Sequence, residues 1–113
     1  MSSTVQPASR GRIYLIDDDP DIRLHLGDVL RVEGFEVEVF DSAMQLLEDF
    51  RPLPGAVLVM DMRMQGMSGL DAFRRLRAGG IDTPVIFLSG ASHPHELIDA
   101  LRGGAEDFLL KPL

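Results

Sequence analysis

The sequence predicts an α/β fold, a parallel sheet covered by helices on both faces, and three observations carry that prediction. Apolar runs and helical-period stretches alternate strictly, in the order β-α-β-α-β-α-β-α-β. Runs such as Ile13 to Ile16, Ala56 to Met60 and Val85 to Leu88 are apolar almost throughout, the pattern of strands buried on both faces. Finally, Asp17, Asp18, Asp61, Ser89 and Lys111 all follow the ends of such runs. Right-handed crossovers place every strand C-terminus on one edge of a parallel sheet, so these residues converge.

Each element has its own local reason. Residues 1–11 are small, polar and uncapped, and read as a flexible N-terminal tail. After the first strand, Asp19 and Pro20 have the form of an N-cap and first helical residue. The helix they open carries Ile22, Leu26, Val29 and Leu30 on one face and stops at Gly34. Phe35 to Phe40 alternates as a strand, with Phe35, Val37 and Val39 facing one way and Glu36 and Glu38 the other. Ser42 and Gln45 suggest a capping box opening a helix through Ala43, Leu46 and Leu47, ended by Pro52 and Pro54. Asp61 terminates the third strand, and a Met- and Gly-rich loop leads to Ser68, the expected cap of a helix with Leu70, Phe73 and Leu76. Gly79-Gly80 ends that helix, Pro84 opens the fourth strand and Ser89-Gly90 closes it. Pro94 begins a helix with Leu97, Ile98 and Leu101 inward, and Phe108 to Leu110 is the last strand, ended by Lys111-Pro112.

Composition narrows the function classes. At 113 residues the chain makes one domain, and 45% apolar residues make it globular rather than disordered. It contains no apolar run of membrane-spanning length and no cysteine, which removes disulfide, thiolate-metal and thiol-nucleophile chemistry. These features suit the cytoplasm. A net charge of −7 disfavours direct nucleic-acid binding, since phosphate contact needs a basic surface.

The chemistry sits in the carboxylates. One aspartate after the first strand is explained by capping; three in a row, Asp17-Asp18-Asp19, repel one another unless a cation or proton lies among them. A hard divalent cation suits such a set, Mg²⁺ taking one or two carboxylates, waters and a phosphate oxygen. Lys111 supplies a movable positive charge and Ser89 a hydroxyl for phosphoryl oxygens, leaving Asp61 as the candidate nucleophile. There is no phosphate loop or dinucleotide fingerprint, so the phosphoryl group should arrive from a partner or small donor.

From Arg12 to the last residue the chain resembles the receiver domains of two-component response regulators. The resemblance rests on Asp17-Asp18 after strand one, Asp61 within Val59-Met60-Asp61-Met62-Arg63-Met64, Ser89 after strand four and Lys111-Pro112 after strand five. It implies a flavodoxin-like three-layer sandwich with strand order 2-1-3-4-5. It further implies that Asp61 is phosphorylated from the histidine of a sensor histidine kinase. Mg²⁺, with Mn²⁺ as a substitute, would be bound by Asp18, Asp61 and the backbone carbonyl of Arg63, with Asp17 helping through water. Ser89 and Phe108 become the switch residues, the Lys111-Pro112 peptide is cis, and helix four with strand five becomes the changing surface. Met67-Ser68-Gly69 and the Asp-Met-Arg-Met run look most like receivers joined to LuxR-type helix-turn-helix outputs, which implies control of transcription by an output not in this chain and a phosphorylation-dependent homodimer. Such a domain catalyses only its own phosphorylation and dephosphorylation.

The chain departs from the family's pattern twice. Gln65 stands where proline is usual, and the fifth helix is absent, so that residues 12–113 read as a receiver lacking its last helix, with Leu109 or Leu110 partly exposed. Two other readings remain. Asp17-x-Asp19 resembles the paired aspartates of haloacid-dehalogenase-type phosphatases, which would make Asp17 the nucleophile and leave Asp61 without a role. A pseudo-receiver would keep the fold without the chemistry, against which the full set of Asp17, Asp18, Asp61, Ser89 and Lys111 argues. His93 and His95 read as polar loop residues, and Arg74, Arg75 and Arg77 as a solvated helix face. Met60 reads as core and Met62, Met64 and Met67 as loop packing.

Overall fold

The structure is a computed structural model, and it describes residues 10–90, 98, 99 and 101–111. Five parallel strands form one sheet in the order β2-β1-β3-β4-β5: β1 (Arg12–Ile16), β2 (Glu36–Phe40), β3 (Ala56–Asp61), β4 (Val85–Ser89) and β5 (Asp107–Leu110). Helices α1 (Pro20–Val32), α2 (Ala43–Asp49) and α3 (Gly69–Ala78) connect the first four. Ile98, Asp99, Leu101 and Arg102 are also helical, between β4 and β5. The expected tail (but for Arg10 and Gly11), His93 to Leu97 and the Lys111-Pro112 peptide lie outside the described residues.

Local chemistry ends the elements where the sequence indicates. Asp19 caps α1 by accepting from the Asp21 N–H, with Pro20 at the first helical position. Gly34, at a φ of +100°, lets the chain leave α1, so that the Gly34 and Phe35 N–H groups return to the Arg31 and Leu30 carbonyls. Ser68 caps α3 through the Asp71 N–H, and Ser42 caps α2 through the Gln45 N–H. The Gln45 side chain reaches past the cap to the Asp41 N–H, one residue short of a capping box.

The two faces of the sheet are unequally packed. Under α2 and α3, Tyr14, Ile16, Leu58, Met60, Val85 and Phe87 join Leu46, Phe73 and Leu76 in the larger core. Among the described residues the opposite face buries Ile13, Leu15, Val59 and Leu88, with Ile22, Leu26 and Leu30 of α1 packed partly against them. Beside them an apolar groove of about 270 Å³ runs along Ile13, Leu26, Leu30, Val57, Ile86 and Leu109.

This thinness explains where side chains depart from the expected pattern. Val29 is exposed although it lies on the apolar side of α1, and Val39 is 38% exposed because β2 is an edge strand. Ile98 and Leu101, expected to face inward, are also exposed. Leu109 and Leu110 are both about half exposed. Met62 is fully buried in the larger core, a deeper place than loop packing. Arg77 is not a solvated side chain. It donates to the Ile81 and Thr83 carbonyls and lies 4.6 Å over the Phe73 ring, tying α3 to the start of β4.

Gly69 is required by space rather than by a positive φ. A Cβ there would collide with the Asp61 carbonyl and press on the Met60 side chain, because α3 begins directly against the end of β3. Gly69→Ala is therefore expected to cost about 1–3 kcal/mol in urea unfolding, the usual penalty of overpacking. A change under about 0.5 kcal/mol, within the range of neutral surface substitutions, would show that the backbone yields without cost.

Candidate phosphoacceptor and metal site

The sheet delivers Asp17, Asp61, Ser89 and Lys111 to one edge through its own ladder. Asp17 follows Ile16, and its N–H donates to the Phe40 carbonyl of β2. Asp61 is the last residue of β3 and pairs in register with Leu88 of β4. Ser89 ends β4, and its carbonyl accepts from the Lys111 N–H, a bond that holds Lys111 just past β5. Asp17, Asp61 and Ser89 are buried, while Asp18 is exposed at the mouth.

One cation sits among these groups. Lys111 Nζ lies 3.1 Å from both Asp17 Oδ2 and Asp61 Oδ2. Only the Asp61 contact is aligned as a hydrogen bond, so Asp17 Oδ2, fully buried, is held by charge without an aligned donor. The remaining oxygens take backbone donors: Asp17 Oδ1 accepts from Asp19 N, Asp61 Oδ1 from Arg63 N and Asp18 Oδ2 from Gln65 N. Arg23 donates to the Asp17 carbonyl at 2.7 Å, bracing the turn that carries the cluster. Sequence reasoning missed both Arg23 and the Gln65 N–H, because neither contact leaves a residue pattern.

The electrostatics follow from burial. Desolvation raises the pKa of the Asp61 carboxyl above its ordinary 3.8, the Asp17 charge adds to this, and the bonds from Lys111 and Arg63 only partly offset it. Burial pushes Lys111 down, yet the two carboxylates outweigh this and hold its ammonium above its ordinary 10.5.

A divalent cation fits this set. Ligand oxygens from Asp17, Asp18 and Asp61 lie within 4.8 Å of one another. The donors are hard carboxylate oxygens of the kind Mg²⁺ takes, and Asp17 Oδ2 is a buried charge that shares Lys111 without an aligned hydrogen bond. Arg63 approaches through its N–H, with its side chain exposed. The Ser89 hydroxyl donates to the Gly90 carbonyl at 2.9 Å. Phe108 is half-buried against the larger core, paired in register with Phe87.

Residues 13–113 match the family described as the response regulator receiver domain. The chain belongs to that family. It is 35% identical over 107 residues to Nodulation protein W of Bradyrhizobium diazoefficiens, covering 95% of this chain and 47% of that protein. Response regulator protein TmoT of Ectopseudomonas mendocina is 39% identical over 100 residues, covering 88% of this chain and 46% of its own. Full-length FixJ from B. japonicum superposes with a TM-score of 0.86 at 34% identity, covering 94% of this chain and 52% of that one. The receiver therefore spans about half the length of the curated relatives it matches first. The flavodoxin-like fold and strand order expected from the sequence are those found.

The receiver's buried acid also makes a stability prediction. In the folded state Asp61 holds its proton more tightly than in the unfolded chain, so stability falls as pH rises from 3.8 through the raised value. Lys111 contributes in the opposite sense: its stabilisation is complete below 10.5 and is lost as pH rises through its own raised value. Asp61→Asn removes the buried charge and is expected to raise the melting temperature at pH 7 in chelator by a few degrees, the gain shrinking toward pH 4. An unchanged or lower melting temperature at pH 7 would contradict this account of the site.

Proposed function

We propose that Asp61 is the phosphoacceptor of a two-component phosphorelay, charged from the phosphohistidine of a sensor kinase. The observation that carries this reading is the Asp61 carboxylate at the end of β3, bonded to Lys111 and facing Asp17 and Asp18. In the transfer a carboxylate oxygen of Asp61 forms a P–O bond as the N–P bond of the donor breaks, and the imidazole leaves with the electron pair. Asp17, Asp18, Asp61 and the Arg63 carbonyl are the proposed ligands of Mg²⁺, or of Mn²⁺ in its place. When bound, the ion offsets the carboxylates' charge and that of the entering phosphoryl oxygens.

The chain's own residues do the rest. Lys111, already shared between two carboxylates, shifts to phosphoryl oxygens. The Ser89 hydroxyl leaves the Gly90 carbonyl for the same group, and Phe108 moves inward with it. Phosphorylation thereby biases a two-state element built on β4 and β5. Asp17 is a poorer nucleophile candidate: it has no exposed surface, whereas Asp61 keeps a small part of its own.

The wider role follows the relatives. One of them is named a transcriptional regulatory protein, FixJ, and this chain matches about half of it. We therefore place residues 12–113 as a receiver that controls a separate output governing transcription. Ile98, Leu101 and β5 supply the face of a phosphorylation-dependent homodimer. Among the described residues no helix is long and apolar enough to cross a membrane, and with the acidic charge this supports a cytoplasmic domain that does not itself bind nucleic acid.

Intact mass after acetyl phosphate treatment tests the assignment. A single adduct of about 80 Da is expected, one phosphoryl group on a carboxylate, dependent on Mg²⁺ and lost in Asp61→Asn. An adduct that persists in Asp61→Asn, or none in the wild type, would refute Asp61 as acceptor.

A further inference from the structure

Each of the three clustered carboxylates accepts one backbone N–H and keeps a second oxygen for other work. For Asp17 and Asp61 the donor is local, the N–H two residues along the same turn. Asp18 differs. Its donor is Gln65 N, at 3.0 Å and 47 residues away, across the mouth between the loop after β1 and the loop after β3. Asp17 and Asp61 are buried and also share Lys111, whereas Asp18 is exposed.

We propose that the Gln65 backbone N–H is the positioning donor for Asp18, fixing this outermost carboxylate in the orientation from which it takes a divalent cation. The inference rests on the metal reading of the cluster and adds to it a group that touches no ligand. Hydrogen bonds behind a metal-ligating carboxylate set its direction, and their loss lowers metal affinity about 10–100-fold. An ionised carboxylate has lone pairs enough to keep the N–H on one oxygen and offer the other to the ion. The role belongs to the main chain: any residue with an N–H at position 65 can fill it, and proline cannot. It also joins the cation to the loop leading into α3, so that filling the cluster orders residues between Asp61 and Ser68.

The test is a Mg²⁺ titration followed by amide NMR shifts, which needs no phosphoryl transfer. Gln65→Ala retains the N–H and is expected to keep the wild-type midpoint. Gln65→Pro is expected to need about tenfold or more Mg²⁺, the lower bound for losing such a donor. Proline also restricts Met64, so an amide-to-ester replacement at residue 65, which puts an oxygen in place of the N–H without the proline ring, separates the two effects. A shifted midpoint in the ester protein establishes the donor. A wild-type midpoint in the ester protein overturns it while leaving the metal site intact, and failure of the wild type to bind Mg²⁺ overturns both.

Discussion

Everything at the functional edge depends on holding two buried like charges, Asp17 and Asp61, around a single ammonium. Asp17 has no exposed surface and Asp61 almost none, so water cannot separate their charges. Lys111 balances them only in part. Its aligned bond goes to Asp61, and the oxygen of Asp17 beside it is left with charge alone. The Asp61 carboxyl consequently sits above its ordinary pKa although a cation touches it. A cluster in this condition favours added positive charge, and it favours moving Lys111 once other oxygens compete for it. The same imbalance that costs stability makes the edge responsive.

The rest of the fold explains how that arrangement persists. Asp61 is fixed by the β3 ladder, by Met62 N on the Leu88 carbonyl and by α3 starting directly against it at Gly69. Lys111 is fixed by its N–H on the Ser89 carbonyl and reaches the acids from outside the last strand. The larger core, with Phe73 edge-on to Phe87 and Tyr14 edge-on to Phe50, packs α2 and α3 against one face of that sheet. Rigidity on that face is what allows a sub-ångström preference at the edge to matter, since a loose sheet would relax the repulsion away.

What was legible in the sequence and what was not divide along a physical line. Strands buried on both faces must be apolar throughout, so β1, β3 and β4 announced themselves, and Asp17, Asp61 and Ser89 followed because polar residues end such runs. Caps were legible for the same reason: Asp19, Ser42 and Ser68 each satisfy an N–H that the helix itself cannot. Burial on the α1 face was not, because periodicity shows which way Val29 points but not whether anything covers it. Nor was the work of Arg77, whose neighbours Arg74 and Arg75 are exposed while it stacks on Phe73 and closes two carbonyls. Backbone donors leave no trace in residue identity at all. Gln65 drew notice by its position, yet nothing in its side chain indicates that its N–H crosses to Asp18.

The uneven packing also determines where a signal can travel. A charge change at Asp61 could in principle move any element that ends on the same edge. β1 is held between two full ladders and cannot shift without breaking both. β5 is different: it has one neighbour, four residues, and two exposed leucines. Lys111 meets Asp61 through its ammonium and is joined to Ser89, at the end of β4, by the Lys111 N–H to Ser89 carbonyl bond. The position of Lys111 relative to Asp61 is thus coupled through the main chain to the ends of both β4 and β5. Among the described residues, β2 and β5 are the two edge strands, and of these only β5 is followed directly along the main chain by a residue that hydrogen-bonds to Asp61, Lys111.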